Sequence, residues 1–205
     1  MRLTGYIVLV VLSLGVAGYA LVAYSLLPIG ATVHPDMRPA FEANRAAIYV
    51  HVFAAFFALA LGAFQFSTRL RVARPALHRW MGRLYLGIGV LLGGISGFYI
   101  AFFAHGGAVA KAGFACLALG WLYTGLRAYL AIRARDIGAH RRWMVRNFAL
   151  TFAAVTLRLY LPVPLVAGLD FESAYRAIAW LCWVPNLILA ELLFNRTSAG
   201  RESPG

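Results

Sequence analysis

Residues 140–162 read HRRWMVRNFALTFAAVTLRLYLP, a basic stretch that leads without a break into an apolar one. An earlier segment repeats this arrangement, since residues 77–85 read LHRWMGRLY and open the apolar run that ends at Phe103. Histidine, arginine and tryptophan suit the depth of lipid headgroups, where their polar ends reach water. We therefore expect both stretches to begin membrane helices, and call them the basic mouths: Arg79 and Arg83 in one, and Arg141, Arg142 and Arg146 in the other.

Composition indicates that the bilayer is the solvent of this chain. Of its 205 residues, 62% are hydrophobic and 13% are charged, whereas soluble domains are about half apolar and a quarter charged. The net charge of +12 is concentrated in short loops between apolar runs, which predicts contact with the lipid bilayer and its anionic headgroups rather than with nucleic acid. Cys116 and Cys182 lie in separate apolar runs without a CxxC motif, so we expect buried thiols.

Apolar runs predict an all-α, polytopic integral membrane protein. We expect one transmembrane domain over 1–205, with six transmembrane helices, a four-helix core from spans two to five, and a disordered tail at 195–205. The first run is longer than the roughly 7–15 apolar residues of a signal peptide, which favours a retained anchor. The predicted spans lie at about 6–27, 46–66, 82–103, 108–132, 146–166 and 177–194.

Charge placement predicts the orientation. In this arrangement thirteen of the 19 Lys and Arg residues fall on the face that carries both termini, and such residues mark the cytoplasmic side. Arg158 is different, since it lies about three turns inside a span, where a lone guanidinium is costly. It needs a carboxylate, carbonyls, water or an anionic ligand, and Glu191 is the acid that falls inside a predicted span.

Four histidines stand near the starts of successive predicted spans: His51, His78, His105 and His140. Because successive spans alternate in direction, His51 and His105 are expected near the outer face, and His78 and His140 near the cytoplasmic face. Two imidazoles that face each other across a bundle can ligate haem iron. The spacing therefore predicts haem b, with His78 and His140 as inner iron ligands, His51 and His105 as outer ones, and Arg158 holding propionates.

A second interpretation of the same residues needs no cofactor. His78 and His140 would be interfacial residues of basic helix starts, and His105, beside Gly106 and Gly107, a turn residue. The first interpretation predicts a transmembrane electron-transfer protein that receives electrons from quinol or a redox partner protein. The second predicts a small transporter, or a scaffold that binds lipid or a partner. P-loop, GxSxG and HExxH motifs are absent from the sequence, so it indicates no phosphoryl-transfer or hydrolytic chemistry.

Three motifs carry a family resemblance: residues 62–66 (GAFQF), 77–85 and 140–162. Over roughly His51 to Pro162, the chain resembles the bacterial membrane-protein family catalogued as domain of unknown function 2306. This resemblance implies a multi-pass protein of the bacterial inner membrane and no established activity. The chain also resembles, more loosely, the di-haem cytochromes b and ferric reductases. Those proteins carry a histidine in each of four successive core helices, so this resemblance implies haem b.

Overall fold

The computed structural model of the protein describes residues 3–192, which form helices and turns without a β-strand. Five helices in this part of the chain are long and apolar enough to cross a membrane. The predicted class, an all-helical membrane protein, is therefore confirmed. The predicted disordered tail lies outside the described residues, as do Arg2, Arg196 and Arg201. In chain order, the five helices, which we call spans 1 to 5, are Leu3–Leu26, Arg45–Phe66, Pro75–Ala101, Gly107–Arg133 and Ile137–Ala167.

Spans 1 and 4 are single α-helices, whereas the other three change their helical geometry along their length. Span 2 comprises the α-helix Arg45–Gly62 and the 3₁₀ turn Ala63–Phe66. Span 3 comprises Pro75–Leu84, the π-helical segment Tyr85–Leu92, and Gly93–Ala101. Span 5 comprises Ile137–Thr151, Ala153–Tyr160 and Pro162–Ala167.

Shorter helices lie between and after the spans. The connection after span 1 contains the 3₁₀ turn Pro35–Met37 and the helix Arg38–Ala43, and Thr68–Ala73 lies between spans 2 and 3. Where the sequence predicts a sixth span at 177–194, the structure has the helices Phe171–Leu181 and Val184–Ala190. Residues 193 and 194 lie beyond the described part.

Spans 3 and 5 begin earlier than predicted, at Pro75 and Ile137 rather than near residues 82 and 146. The basic mouths are themselves helical. Arginine is a good helix former, and its side chain can reach water from a helix, so these residues do not end the helices. Local signals at both starts support this. Pro75 occupies the first turn of its helix, and the Asp136 carboxylate accepts a hydrogen bond from the Ala139 amide at 2.8 Å as an N-cap.

The largest buried cluster in the described chain combines side chains from spans 2, 3, 4 and 5. Each span packs against the next one along the chain, from span 1 to span 5. The helix Phe171–Leu181 packs on span 4, and Val184–Ala190 packs on span 5. Residues of span 1, Leu9 and Val10, also pack against this cluster. Its members are Ala58, Ala63, Tyr85, Val90, Trp121, Ala128, Met144, Phe148 and Leu150.

A network of buried hydrogen bonds crosses this cluster. The Tyr85 hydroxyl donates to Asn147 Oδ1 at 2.6 Å and lies 2.8 Å from Thr151 Oγ1. Asn147 Nδ2 donates to the Trp121 carbonyl at 2.8 Å and to Thr124 Oγ1 at 2.9 Å. Trp121 Nε1 donates to Thr151 Oγ1 at 2.9 Å. These five residues, the buried polar network, join spans 3, 4 and 5 inside the bundle, where an unpaired polar group is costly.

Glycines of span 3 allow span 2 to approach closely. A Cβ atom added at Gly89 would lie 3.0 Å from the backbone of Ala58, and one at Gly97 would lie 2.9 Å from the His51 ring. Small residues at four-residue spacing permit this kind of contact between membrane helices. The glycine face therefore sets the distance between the two helices that carry His51 and its hydrogen-bond partner.

A Gly89→Ala substitution should destabilise the protein by about 1–2 kcal/mol, because overpacking against backbone cannot be relieved by rotating a side chain. Gly87 lies in the same π-helical segment, and a Cβ atom there would meet nothing within 4 Å. The matched Gly87→Ala variant should be neutral or slightly stabilising. Thermal unfolding in detergent measures both, and equal midpoints would contradict the close approach.

Candidate functional site

A cavity of about 370 Å³ opens among the spans at the end of the bundle that carries His51 and His105, which we call the outer end. Along span 2 its wall runs from Asn44 to Leu59, which is about 22 Å of helix. Its volume falls within the roughly 300–1,000 Å³ of small-molecule sites. Most of the wall is apolar. The residues with polar side-chain groups in it are Tyr19, Tyr24, Thr32, Asp36, Asn44, His51, His105, Trp121, Thr151, Tyr175 and Arg158.

His51 is held in one orientation by span 3. Its Nδ1 lies 2.8 Å from the carbonyl oxygen of Gly93. Because a carbonyl can only accept, the hydrogen bond requires the proton on Nδ1 and leaves Nε2 with a free lone pair in the neutral ring. Ligand histidines are held in this way, with one ring nitrogen donating to a carbonyl and the other free to bind.

His105 lines the same cavity from the turn between spans 3 and 4. Its ring centroid lies 5.9 Å from that of Phe171 and 6.1 Å from that of Tyr175. Its Nε2 is buried and has no hydrogen-bond partner among the described residues. The structure thus brings His51 and His105 to one cavity. Their assignment as iron ligands stays a prediction.

Arg158 enters the cavity from span 5. Its Nη1 donates to the Ala154 carbonyl at 3.0 Å, and its guanidinium carbon lies 5.7 Å from the centroid of the Tyr19 ring. No acid within residues 3–192 forms an ion pair with it. Asp36, which also lines the cavity, lies 3.5 Å from His34 instead. The cavity therefore contains a cation without a fixed counter-charge.

Glu191 binds the basic mouth of span 5 rather than Arg158. Its Oε1 and Oε2 accept hydrogen bonds from Arg146 Nε at 2.5 Å and Nη2 at 2.9 Å. The guanidinium carbons of Arg146 and Arg127 lie 4.5 Å and 4.8 Å from the centroid of the Trp143 ring. This forked ion pair ties Val184–Ala190 to span 5, so it holds the bundle together at the inner end.

His78 and His140 lie at the opposite, inner end, where His140 and Arg71 are close enough to His78 to act on it electrostatically. His140 Nδ1 lies 2.9 Å from the Ala128 carbonyl oxygen, an anchor like that of His51. His78 Nδ1 is buried without a partner in the described chain. Of the basic-mouth arginines around this pair, Arg79, Arg83 and Arg141 are exposed, whereas Arg142 and Arg146 are half-buried.

Within residues 3–192, no group of three or more His, Cys, Asp or Glu side chains is arranged to hold a metal ion. A porphyrin iron takes two protein ligands at most, because the macrocycle supplies the other four.

A family model described as "Predicted membrane protein (DUF2306)" matches residues 48–194. The chain belongs to this family. No curated protein and no solved structure matches the chain. In this DUF2306 protein, the matched region holds all five candidate cofactor residues, whereas span 1 and the connection with His34 precede it.

The buried polar network of this DUF2306 protein was not predicted from the sequence. A usable signal was present, because Tyr85 follows His78 by seven residues and Asn147 follows His140 by seven. Seven residues are about two helical turns, so each pair shares one helix face. Trp121 and Thr151 also line the cavity. Two of the five members of the network therefore belong to the wall of the cavity.

Proposed function

We propose that this protein binds haem b in the outer cavity, where His51 and His105 would hold the iron, and that it takes part in electron transfer in the membrane. The observation that carries the proposal is that two imidazoles, and one guanidinium without a paired acid, line the same mostly apolar cavity. Haem b has the matching parts: an iron that takes two imidazoles, an apolar macrocycle and two propionates.

Each of the two imidazoles has a ring nitrogen that could bind iron. His51 already has its Nδ1 engaged by Gly93, which leaves Nε2 for iron. His105 has a buried Nε2 without a described partner, and a buried polar atom in this state costs about 1–3 kcal/mol. Binding iron would satisfy this nitrogen. Haem b supplies one-electron chemistry when it is bound, and the two histidines hold it and tune its potential.

Arg158 supports the proposal through charge. A guanidinium inside a span needs an anion or strong acceptors, and Ala154 supplies one carbonyl. A propionate would provide the missing negative charge and accept two hydrogen bonds from the guanidinium fork. Arg158 would in this way orient the macrocycle within the cavity and exclude ligands without an acid.

The sequence predicts iron ligation by both histidine pairs, and the outer pair carries the proposal. A lined cavity accompanies His51 and His105, whereas His78 and His140 lie among arginines. Ligation by the inner pair, and a quinol or redox partner protein as electron donor, stay predictions. A second haem at the inner end would double the haem content per chain, so the same spectra test it.

Without iron, the same cavity would suit an amphipathic carboxylate, which is the transporter alternative. Its apolar wall and Arg158 favour a ligand with a long apolar part and one acid group. The two functions differ in their dependence on the histidines. A colourless protein that binds a fatty acid through Arg158, with His51→Ala unaffected, would support transport and contradict haem binding.

The proposed function includes a topology with six crossings and both termini on the cytoplasmic side of a bacterial inner membrane. Near the start of the region after span 5, Arg176 Nε donates to the Gly106 carbonyl at the outer end of span 4, at 3.0 Å. Near its end, Glu191 binds Arg146 at the inner end of span 5. Residues 171–192 would extend about 30 Å as a helix, which is the thickness of the hydrocarbon core.

Labelling of single introduced cysteines in intact cells tests this topology. A cysteine in the 68–73 segment should be protected from a membrane-impermeant reagent, and one in the 35–43 connection should react. The reverse pattern would overturn the orientation. A cysteine placed after residue 192 should be protected as well, because five crossings would leave it outside.

Alanine variants of His51 and His105 test the ligand assignment. Each should lose most of the reducible haem b absorbance, because one axial ligand is removed. His34→Ala is the matched control, since His34 stacks on Phe171 at 3.9 Å but does not line the cavity. Reduced-minus-oxidised spectra of the purified variants, at equal protein and with equal size-exclusion profiles, measure the effect. Unchanged absorbance in His51→Ala would contradict the assignment.

A further inference from the structure

The inner end of the bundle contains a second group of cations that the proposed function does not use. Arg71, in the helix Thr68–Ala73, lies close enough to Arg141 at the start of span 5 for the two charges to repel. Arg71 also lies near His78. The helices that carry Arg71 and His78 pack against each other. Arg71 is therefore within electrostatic reach of two groups that are cationic or can become so: Arg141 of span 5 and His78 of span 3.

These cations lack negative partners in the described chain. Arg71 Nη2 donates to Thr68 Oγ1 at 3.1 Å, and neither Arg71 nor Arg141 forms an ion pair with an acid of residues 3–192. The nearby acids of that region are engaged elsewhere: Asp136 caps its own helix, and Glu191 binds Arg146. Burial, followed by the charge of Arg141, lowers the pKa of Arg71. An anion between the two arginines would relieve this repulsion.

Two further features of this place favour a phosphate. His78 Nδ1 is buried and has no partner in the described part of the chain, so it is available as a donor. The ten-residue helix Pro75–Leu84 begins beside Arg71, and its N-cap residue, Arg74, makes no side-chain capping bond. The free amides and the positive end of the helix dipole add to the attraction for an anion.

Apolar side chains border the cluster and indicate a lipid. Val72, Leu77 and Trp80 are exposed by 77%, 50% and 60%, and they lie on the same two helices as Arg71 and His78. The Arg83 guanidinium carbon lies 5.3 Å from the centroid of the Trp80 ring, an arrangement typical of headgroup depth. A ligand bound here would contact the cationic side chains with its anionic part and the exposed apolar side chains with its apolar part.

We propose that Arg71, Arg141 and His78 form a binding site for the phosphate of an anionic phospholipid headgroup, with the acyl chains on Val72, Leu77 and Trp80. This assignment gives His78 a role other than iron ligation. It does not depend on haem in the outer cavity, because it uses residues at the opposite end of the bundle.

Native mass spectrometry of the detergent-purified full chain, titrated with phosphatidylglycerol, tests this site. Arg71→Gln combined with Arg141→Gln should weaken binding of the first phosphatidylglycerol molecule by about tenfold. The matched control combines Arg69→Gln with Arg135→Gln, two exposed arginines of the regions that carry Arg71 and Arg141. This control removes the same charge and should change binding less than about twofold.

Each other outcome overturns the site. Equal loss in both double variants would show an effect of net charge alone, and unchanged binding in the first would show that the two arginines do not hold the headgroup. Displacement of the lipid by millimolar inorganic phosphate would point to a soluble anion as the occupant. Loss of haem absorbance in His78→Ala, with lipid binding intact, would return His78 to iron ligation.

Discussion

An Asn147→Leu variant should lose about 2–4 kcal/mol of unfolding free energy, because it removes the centre of the buried polar network. Asn147 is fully buried, and both polar atoms of its amide form hydrogen bonds. Its Oδ1 accepts from the Tyr85 hydroxyl of span 3, and its Nδ2 donates to the Trp121 carbonyl and to Thr124 Oγ1 of span 4. Leucine has the same branched shape and is somewhat larger, but it has no polar atoms. The loss therefore comes from unpaired partners and not from a cavity.

Unfolding of the purified variant in mixed micelles of increasing SDS content measures this loss. Asn44→Leu is the control, since Asn44 is half-buried at the start of span 2 and its amide contacts are the Ala40 carbonyl and the Tyr99 hydroxyl. It should cost less than about 1 kcal/mol. Equal losses in the two variants would show that the network adds nothing beyond one ordinary hydrogen-bonded asparagine.

Arg158→Gln should have opposite effects on the empty and the haem-loaded protein. Without haem, removal of a guanidinium that lacks an acid partner should stabilise the chain by about 1–2 kcal/mol, because its burial is costly. With haem, loss of the propionate partner should weaken haem binding by about tenfold. A change of sign between the two states would identify Arg158 as a ligand-binding residue and not a structural one.

Protein from haem-depleted and haem-replete cells gives the two states, with thermal unfolding and haem titration as measurements. Arg127→Gln is the control, because Arg127 is bound outside the cavity by the Tyr123 hydroxyl at 2.9 Å and by the Trp143 ring. It should leave haem affinity unchanged and shift stability by about 0.5 kcal/mol or less. A less stable empty Arg158→Gln protein would contradict the account, since it would mean that the guanidinium is already satisfied.

Hydrophobicity predicts the bounds of the apolar helices closely, and the bounds of helices with polar ends less closely. Spans 1, 2 and 4 lie close to their predicted bounds. Spans 3 and 5 extend into the basic mouths, because hydropathy measures contact with lipid and not helix formation. The region predicted as the sixth span contains two helices that meet at Cys182 and Trp183, with Pro185 in the first turn of the second. Proline removes a backbone donor, which accounts for the break.

The candidate site was partly visible in the sequence. Alternating span direction was enough to group His51 with His105, and His78 with His140. The cavity was not predictable, because it depends on how the connection after span 1 and the helix Phe171–Leu181 cover the outer end. The ion-pair partner of Glu191 could not be predicted either. Arg146 and Arg158 both lie on span 5, and only the packing of the helices decides which of them Glu191 contacts.

Haem content per chain, combined with electron paramagnetic resonance of the oxidised protein, tests the central claim most directly. The chain should be purified from haem-replete cells, and haem b measured against protein by amino-acid analysis. The account predicts one haem b per chain with the low-spin signal of two imidazole ligands, and loss of that signal in His51→Ala. A colourless chain, or a haem whose signal is the same in His51→Ala as in the unmodified protein, would contradict it.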